Sequence, residues 1–355
     1  MFSAEKIQQI RNELHNIERS GTLPSQLLQD IYAKRLFKLF VPDELGGRLT
    51  PLPDALNIFQ LAASIDGSYG WLITIGSGGG MFAPYMKTNV MKEYFSPVNA
   101  VVAGSGYPAG VAQKTAGGYL VNGTWKYCSG AQYATMFTAN CLVIDNDKNE
   151  LVLSFIFEPN EITILHDWEA FGLKDTGSHT ISAKDVFIPD ERTFTMLEKK
   201  NKINHPIYSF PFMQFSEASF TVVCLGIGEH FIEEATAIAK RNEDVWDSHR
   251  YSFVMSRIKE QADLLKHTTA LFYEQITQAW NIHVKGMALS KELLENVTNI
   301  CKHSVSTTIH CANNIIRYLG MEAVMETSTI NRIWRDLYTA GQHAFLIPYQ
   351  QEENS

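Results

Sequence analysis

The stretch that decides the fold is RIWRDLYTAGQHAF, residues 332–345, close to the end of the 355-residue sequence. It has the pattern of a helix set in apolar surroundings, yet it carries two arginines, an aspartate and a histidine. At about 3.6 residues per turn, Asp336 and His343 are nearly two turns apart and share one face of the predicted helix. The simplest interpretation is a helix with one ion pair and one locally satisfied histidine. Whether these residues do more depends on the rest of the sequence.

The overall composition indicates a globular protein. Apolar residues make up 45% of the chain and charged residues 19%, and the formal net charge is -8. This length is enough for two or three domains with a full hydrophobic core. Because the charge balance is acidic and no basic stripe is present, we expect no nucleic-acid partner.

The sequence shows no sign of secretion, membrane insertion or metal binding. The N-terminus, MFSAEKIQQIRNELHNIERS, is amphipathic and charged, so it does not read as a signal peptide. A membrane span would need a run of about 18 apolar residues, and we expect none. The five cysteines are an odd number without CxxC spacing, so neither a zinc site nor a disulfide framework is expected. A reducing cytoplasm is therefore the expected location.

The residue pattern changes twice along the chain and so divides it into three regions. Residues 1–97 have apolar residues at three- and four-residue spacing and read as a helical domain. Residues 98–203 contain six short β-rich segments separated by turn signals, which predicts an antiparallel β-sandwich or small barrel. Residues 204–355 return to long helical patterns that fit a four-helix bundle closed by residues 332–345. We therefore predict an α+β fold in this order.

One glycine-rich stretch, GWLITIGSGGGMF in residues 70–82, could suggest a phosphate-binding loop. It lacks both GxGxxG and a Lys-Ser/Thr pair, and no clear strand leads into it. We therefore interpret Gly78 to Gly80 as small residues that allow close helix packing.

Five sequence motifs, taken in order, resemble the acyl-CoA dehydrogenase superfamily over nearly the whole chain. They are LFKLFVPDELGG, NGTWKYCSGAQYA, FGLKDTGSHTISAKDVFIP, RYSFVMSRIKEQ and NRIWRDLYTAGQH. Each motif alone is modest, but their common order makes the resemblance strong. It implies the acyl-CoA dehydrogenase-like fold, in which a β domain lies between two helical domains and a flavin is the cofactor.

The departures from the family pattern change the expected chemistry. Dehydrogenases of the family usually carry a catalytic glutamate eight residues after the aspartate that matches Asp336, and here that position is Ala344. An alanine cannot remove the α-proton of a thioester. SIDGSYGW, residues 64–71, and the final helix instead resemble a branch of two-component flavin monooxygenases, such as the hydroxyphenylacetate and dibenzothiophene enzymes. That branch carries a histidine at the position matching His343 and uses reduced flavin supplied by a separate reductase.

The resemblance implies a set of flavin-site residues. Ser129, in the Ser-Gly pair after WKYC, is the candidate partner of flavin N5; the alternative is a serine that satisfies backbone groups at a strand end. His343 is the candidate base or hydrogen-bond donor at the reacting end, because an imidazole titrates near neutral pH. Asp336 and Arg335 are interpreted as structural. The other candidate flavin contacts are Ser105, Tyr127, Trp168 and Ser178, although aromatic residues in strands often belong to the core.

A further group of residues concerns the adenine half of FAD. In the family, residues matching Arg250, Phe253 and Gln261 reach this half across a subunit interface. This implies FAD and a homotetramer or dimer built through the C-terminal helices. Val254 replaces the usual glycine, and many monooxygenases of the branch use FMN, so the cofactor is expected to be FAD or FMN.

Three functions remain open from the sequence. The first is a monooxygenase acting with reduced flavin and O2 on an aromatic or other small apolar substrate. The second is an acyl-CoA dehydrogenase with a displaced base, for which Glu217 and Glu229 are the visible candidates. The third is a flavin-binding homologue without catalysis.

Overall fold

The chain, seen in a computed structural model, is described over residues 4–17, 22–144 and 150–348. The elements before the sheet are helices α1 (Ala4–Ile17), α2 (Ser25–Ala33), α3 (Leu52–Ile65), α4 (Gly67–Gly78) and α5 (Thr88–Phe95). The strands are β1 (Val102–Thr115), β2 (Gly118–Cys128), β3 (Met136–Ile144), β4 (Glu150–Phe157), β5 (Thr163–Ile164), β6 (His179–Pro189) and β7 (Thr193–Phe194). The last helices are α6 (Phe212–Arg241), α7 (Ser248–Val284), α8 (Lys291–Ile316) and α9 (Thr329–Gly341). The helix–strand–helix order of the predicted α+β fold is therefore present.

The strands form one hydrogen-bonded sheet in the order β5-β6-β2-β1-β3-β4-β7. The prediction of a wholly antiparallel sandwich or barrel is wrong for the central pair, because β1 and β3 run parallel. After β2 turns back along β1, residues 129–135 return the chain to the start of β1, so β3 leaves in the same direction. The alternation of apolar residues reports which face is buried, and it carries no information on strand direction.

The predicted close packing is found at Gly79 and Gly80 but not at Gly78. A Cβ atom on Gly79 would lie 2.4 Å from Cβ of Val102 and one on Gly80 2.9 Å from the carbonyl carbon of Phe40, whereas one on Gly78 would meet nothing within 4 Å.

Two earlier glycines of α4 also allow close packing. A Cβ atom added at Gly76 would lie 2.4 Å from Cδ1 of Phe37. One added at Gly70 would lie 2.4 Å from the Cα atom of Ala63 on α3. At both positions a side chain would push α4 away from its neighbours, so the glycines set how closely it packs.

Helix α6 is the central helix of the C-terminal region and packs against α3, α7, α8 and α9. Two of its glycines permit close approach from different sides. A Cβ atom on Gly226 would lie 2.3 Å from the carbonyl oxygen of Gln60, and one on Gly228 would lie 2.4 Å from Cγ2 of Thr308. Within the described residues, no helix is both long and apolar enough to cross a membrane.

The final helix ends earlier than predicted. Helix α9 stops at Gly341, and His343 has an extended backbone with φ -60° and ψ 131°. His343 instead caps a short 3-10 turn over Ala344–Leu346, where its Nδ1 atom accepts a hydrogen bond from the Phe345 amide. The expectation that Asp336 and His343 share one helix face is therefore wrong, since the helix does not reach His343.

The side chain of Arg332 on α9 connects separate parts of the fold. It is 5% exposed and donates to Asp66 Oδ2 at 2.7 Å and to Asp175 Oδ2 at 3.2 Å. It also donates to the backbone carbonyl of Leu14 at 2.7 Å, and its Nε atom lies 4.0 Å from Asp336 Oδ2. Because these partners belong to α1, the start of α4, the loop before β6 and α9, one guanidinium joins all four segments.

We predict that Arg332→Leu lowers the free energy of unfolding by about 3–5 kcal/mol, the usual cost of removing one partner from a buried ion pair. The loss arises because buried carboxylates remain without their cation. Urea denaturation of the variant and the parent protein measures the change. Arg317→Leu, at the exposed residue that follows α8, is the matched control and should stay within about 0.5 kcal/mol of the parent. Equal midpoints for the Arg332→Leu variant and the parent would show that the cluster contributes no net stability.

Candidate active site

Ser129 lies just beyond β2, where the strand pairing with β6 becomes irregular between Trp125 and Cys128. Tyr127 has a positive φ of 65°, which turns the chain out of the strand. Buried Ser129 accepts a hydrogen bond from the indole Nε1 of Trp71 at 3.0 Å. Its Oγ atom is also 2.7 Å from Oγ of Ser178, the residue that precedes β6. Two of the residues predicted from sequence are thus in direct contact.

The hydroxyl contacts continue into the loop before β6. Ser178 Oγ lies 2.7 Å from Thr176 Oγ1, and Thr176 donates to the carbonyl oxygen of Leu173 at 2.7 Å. The indole of Trp168 donates to the same carbonyl at 3.0 Å. The Leu173 amide donates to Asp336 Oδ1 at 2.5 Å, so this loop is fixed to α9. Sequence reasoning assigned no role to Thr176, although it lies in one of the quoted motifs.

His343 sits among aromatic rings. Its ring centroid is 4.2 Å from that of Phe220, 5.1 Å from Phe345 and 5.9 Å from Trp71. Burial lowers the pKa of His343 to about 4, so its ring is neutral near neutral pH. Since Nδ1 accepts from the Phe345 amide, the proton of the neutral ring is assigned to Nε2. His343 therefore offers an N–H donor rather than a positive charge.

Trp71 on α4 joins the two predicted catalytic residues. Its indole nitrogen donates to Ser129, while its rings contact His343 and stack on Phe220 with centroids 5.4 Å apart. Trp71 ends the SIDGSYGW stretch, which was one signal for it, but no pattern in the sequence tied it to Ser129 or His343. Helix α4 positions it, and Asp66 caps the start of that helix by accepting from the Tyr69 amide at 2.9 Å.

An aromatic edge lies beside the serines. Tyr127 is 70% exposed, and its ring makes an edge contact with half-buried Trp168 at 6.3 Å between centroids. The Trp168 amide donates to Nδ1 of His179 at 3.1 Å, and burial lowers the pKa of His179. Trp125, in contrast, is fully buried in the core and donates to the carbonyl of Asn140. Tyr127 and Trp168 therefore present ring surface next to Ser178, as a flavin contact would require.

Ser105 lies in an irregular part of β1, where the register against β3 shifts between Ser105 and Gly110. Its Oγ atom accepts from the Tyr107 amide at 3.4 Å, and Tyr107 is 76% exposed. The described hydrogen bond of the Ser105 side chain stays within β1. Its role at a flavin stays a prediction.

The predicted adenine-site residues lie on α7, apart from the serines. Arg250 packs over the Trp246 ring at 4.2 Å and reaches the Tyr318 carbonyl at 3.4 Å, while Phe253 makes an edge contact with Tyr318. Buried Gln261 accepts from Asn314 Nδ2 at 3.2 Å. Phe253 also borders a shallow surface groove of about 530 Å³, which is otherwise lined by Ser248, His249, Ser252 and Ser256. None of the described contacts of Arg250, Phe253 and Gln261 reaches Ser129 of the same chain.

Arg335 and Asp336 serve the fold, as interpreted from sequence. Arg335 donates to Asn331 Oδ1 at 2.8 Å and to the carbonyl of Phe171. A Cβ atom on Gly172 would lie 2.2 Å from the carbonyl oxygen of Arg335, so a glycine is needed there. Together with the bond from Leu173 to Asp336, these contacts hold the loop before β6 against α9.

Neither glutamate that could replace a missing base contacts the site residues. Glu217 is buried, accepts from Thr298 Oγ1 at 2.6 Å, and has a pKa raised by burial. Glu229 accepts from Gln60 Nε2 at 2.7 Å. In the described contacts, both carboxylates face other helices rather than Trp71, Ser129 or His343.

The residues around Ser129 fit a flavin ring. They combine a hydroxyl oxygen, exposed aromatic faces and a neutral imidazole, which suits a flat and largely apolar group with a few polar edges. In the described contacts, Trp71, Ser129, Ser178 and His343 meet no carboxylate. The described residues also contain no group of three His, Cys, Asp or Glu side chains that could hold a metal ion.

Comparison with known proteins shows which families and proteins the chain resembles. Residues 218–348 match the family "Acyl-CoA dehydrogenase, C-terminal domain". The chain is 24% identical to indole-3-acetate monooxygenase of Pseudomonas putida, over 96% of this chain and 88% of the relative. It is 23% identical to the oxygenase component of p-hydroxyphenylacetate 3-hydroxylase of Acinetobacter baumannii, over 96% of this chain and 85% of the relative.

The fold resembles that of a protein whose structure was solved with reduced flavin bound. The structure of XiaF from Streptomyces sp. in complex with FADH2 and glycerol superposes with a TM-score of 0.85 at 20% identity, covering 97% of this chain and 93% of XiaF. At this sequence identity the likeness shows the fold alone. The sequence relatives and the matched family domain are consistent with that fold. These comparisons support the acyl-CoA dehydrogenase superfamily as the family of this chain, and over nearly its whole length the chain is similar to named monooxygenases.

Proposed function

We propose that the chain is the oxygenase of a two-component monooxygenase, which uses reduced flavin and O2 to oxygenate an aromatic or other small apolar substrate. The observation that carries the proposal is the Trp71 indole, which joins Ser129 and His343 in one site. Bound reduced flavin would supply the electrons that activate O2. The named relatives are monooxygenases of aromatic acids, which supports this substrate class.

The protein's own residues would position and protect the reaction. Ser129 would hold the N5 edge of the flavin, with Tyr127 and Trp168 along the ring. Phe220, Trp71 and Phe345 surround His343, and their apolar surfaces would exclude water from the reacting end. Neutral His343 would donate from Nε2 to an oxygen atom of the substrate or of the oxygen species.

The dehydrogenase alternative lacks a base at the site. Ala344 is exposed and has no ionisable group, and Glu217 and Glu229 are engaged elsewhere. Removal of an α-proton from a thioester needs a base within hydrogen-bonding reach of that proton. The arrangement therefore favours oxygenation over acyl-CoA oxidation.

The proposal also specifies which flavin is bound and which protein reduces it. A separate reductase would deliver the reduced flavin, as the words "oxygenase component" in the name of one relative suggest. FAD is favoured over FMN because Arg250 and Phe253 match the family's adenine-binding positions. Since their described contacts are with Trp246 and Tyr318 and not with Ser129, they would serve the flavin of a neighbouring subunit.

Apolar side chains on α7 support a homo-oligomer. Phe253, Leu264 and Leu271 are 39%, 39% and 37% exposed. Their spacing of eleven and seven residues places them within about 20° of one another around the helix. Exposed apolar side chains aligned on one side of a helix suit burial against a second copy of the chain.

The direct test supplies the chain with reduced FMN or FAD from a flavin reductase under ¹⁸O2. The probe substrates are indole-3-acetate and p-hydroxyphenylacetate. We expect a hydroxylated product that carries one ¹⁸O atom by mass spectrometry. Bleaching of the oxidised flavin by octanoyl-CoA, without any oxygenation, would instead establish the dehydrogenase.

We predict that His343→Ala lowers the rate of this oxygenation by about two to four decades, because the Nε2 proton donor at the reacting atoms is lost. Flavin affinity should change little, since the flavin-holding groups are Ser129 and its neighbours. His310→Ala, on the exposed face of α8, is the control and should keep the parental rate. If His343→Ala oxygenates the substrate as fast as the parent protein, His343 has only a structural role.

We also predict that Leu264→Glu combined with Leu271→Glu dissociates the assembly, because the charges must be desolvated at the interface. Sedimentation at micromolar concentration should show the variant as a 40.0-kDa monomer and the parent as a dimer or tetramer. Leu197→Glu, at a residue 92% exposed outside the helices, is the control. A parent protein that is monomeric and still binds flavin tightly would contradict the α7 interface.

A further inference from the structure

The hydroxyl groups beside Ser129 form a chain with one hydrogen atom for each bond. One end is the Trp71 indole, which can only donate, and the other end is the Leu173 carbonyl, which can only accept. Ser129, Ser178 and Thr176 lie between them, joined by contacts of 2.7 Å. A hydroxyl has a single proton, so fixing both ends fixes every bond between them.

The direction of each bond follows from Leu173. Thr176 must use its proton on the Leu173 carbonyl, so it accepts from Ser178. Ser178 has then used its proton, so it accepts from Ser129. Ser129 accepts from Trp71 and donates to Ser178. Its oxygen therefore has one lone pair left and no proton to give.

We propose that Ser178 and Thr176 act as positioning residues that make Ser129 a hydrogen-bond acceptor, so that the site selects reduced over oxidised flavin. This inference rests on the proposed function. Reduced flavin carries a proton on N5 and can donate to Ser129. Oxidised flavin has a lone pair on N5, which would face the lone pair of Ser129.

Binding of oxidised flavin through N5 would require the chain to reverse. Ser129 would donate to N5, Ser178 to Ser129, and Thr176 to Ser178. The Leu173 carbonyl would then lose the Thr176 hydroxyl, although it would keep the Trp168 indole. The loss of one buried hydrogen bond corresponds to about a tenfold preference for the reduced form.

The test compares dissociation constants for oxidised and anaerobically reduced FMN and FAD. Thr176→Val removes the hydroxyl that commits the Ser178 proton, so Ser178 can donate to Ser129 and free the Ser129 proton. We expect the preference for reduced flavin to fall about tenfold. The midpoint potential of the bound flavin should fall accordingly by about 30 mV, the value for a tenfold change in a two-electron couple.

Three further variants separate bond direction from general damage. Thr176→Ser keeps the hydroxyl and should restore the parental preference. Ser129→Ala removes the acceptor and should lose the preference as Thr176→Val does. Thr221→Val removes a buried threonine hydroxyl that donates to the Glu217 carbonyl on α6, and it should leave the preference unchanged.

The outcomes distinguish this inference from the proposed function. Tight flavin binding with the same preference in Thr176→Val and the parent would overturn the inference alone. A Thr176→Ser variant that behaves like Thr176→Val would also overturn it, because the effect would then follow from packing. A parent protein that binds neither flavin state would overturn both proposals.

Discussion

The buried guanidinium of Arg332 is the interaction on which the remaining structure depends. Placing a charge in the interior is expensive unless it is paired and hydrogen-bonded, and Arg332 meets Asp66, Asp175 and a backbone carbonyl. These partners come from segments far apart in sequence. The ion cluster can form only when the helical regions and the loop before β6 are assembled together, so it specifies their relative placement.

The same cluster positions the site from two directions. Asp66 pairs with Arg332 and also caps α4, the helix that carries Trp71. Asp175 pairs with Arg332 and lies next to Thr176, in the loop that leads to Ser178. Asp336 then binds the Leu173 amide of that loop. The Arg332 cluster thus fixes both α4, which carries Trp71, and the loop that leads to Ser178. In the described contacts, its charged groups do not touch Trp71, Ser129 or Ser178.

The charged residues of the Arg332 cluster are separate from the hydrogen-bonding residues of the site, which are uncharged. Its described hydrogen bonds run through an indole, three hydroxyls and a carbonyl, and its histidine is held neutral by burial. A dehydrogenase would need a carboxylate where Ala344 stands. A site that must protect a reactive oxygen species benefits instead from apolar walls and from hydrogen bonds whose directions are set in advance.

Local pattern was enough to predict much of this protein. The periodicity of residues 204–355 predicted long helices, of which α6 (Phe212–Arg241) is one, and the alternation in residues 98–203 predicted strands. The motifs indicated the family, and Ala344 in place of a glutamate indicated the chemistry. These features are readable because helix and strand periods, and residue types within a motif, are properties of short segments.

Other features exist only in the folded chain. The parallel pairing of β1 with β3, the end of α9 before His343, and the Trp71 bridge each depend on contacts between segments distant in sequence. The donor and acceptor roles of Ser129, Ser178 and Thr176 likewise follow from which groups stand at the two ends of their chain. The sequence by itself determined which residue types were present and how each segment would bury its apolar face. Only the tertiary structure decided which polar atoms meet, because a hydrogen bond requires two atoms within about 3 Å, and local periodicity does not encode distances across the fold.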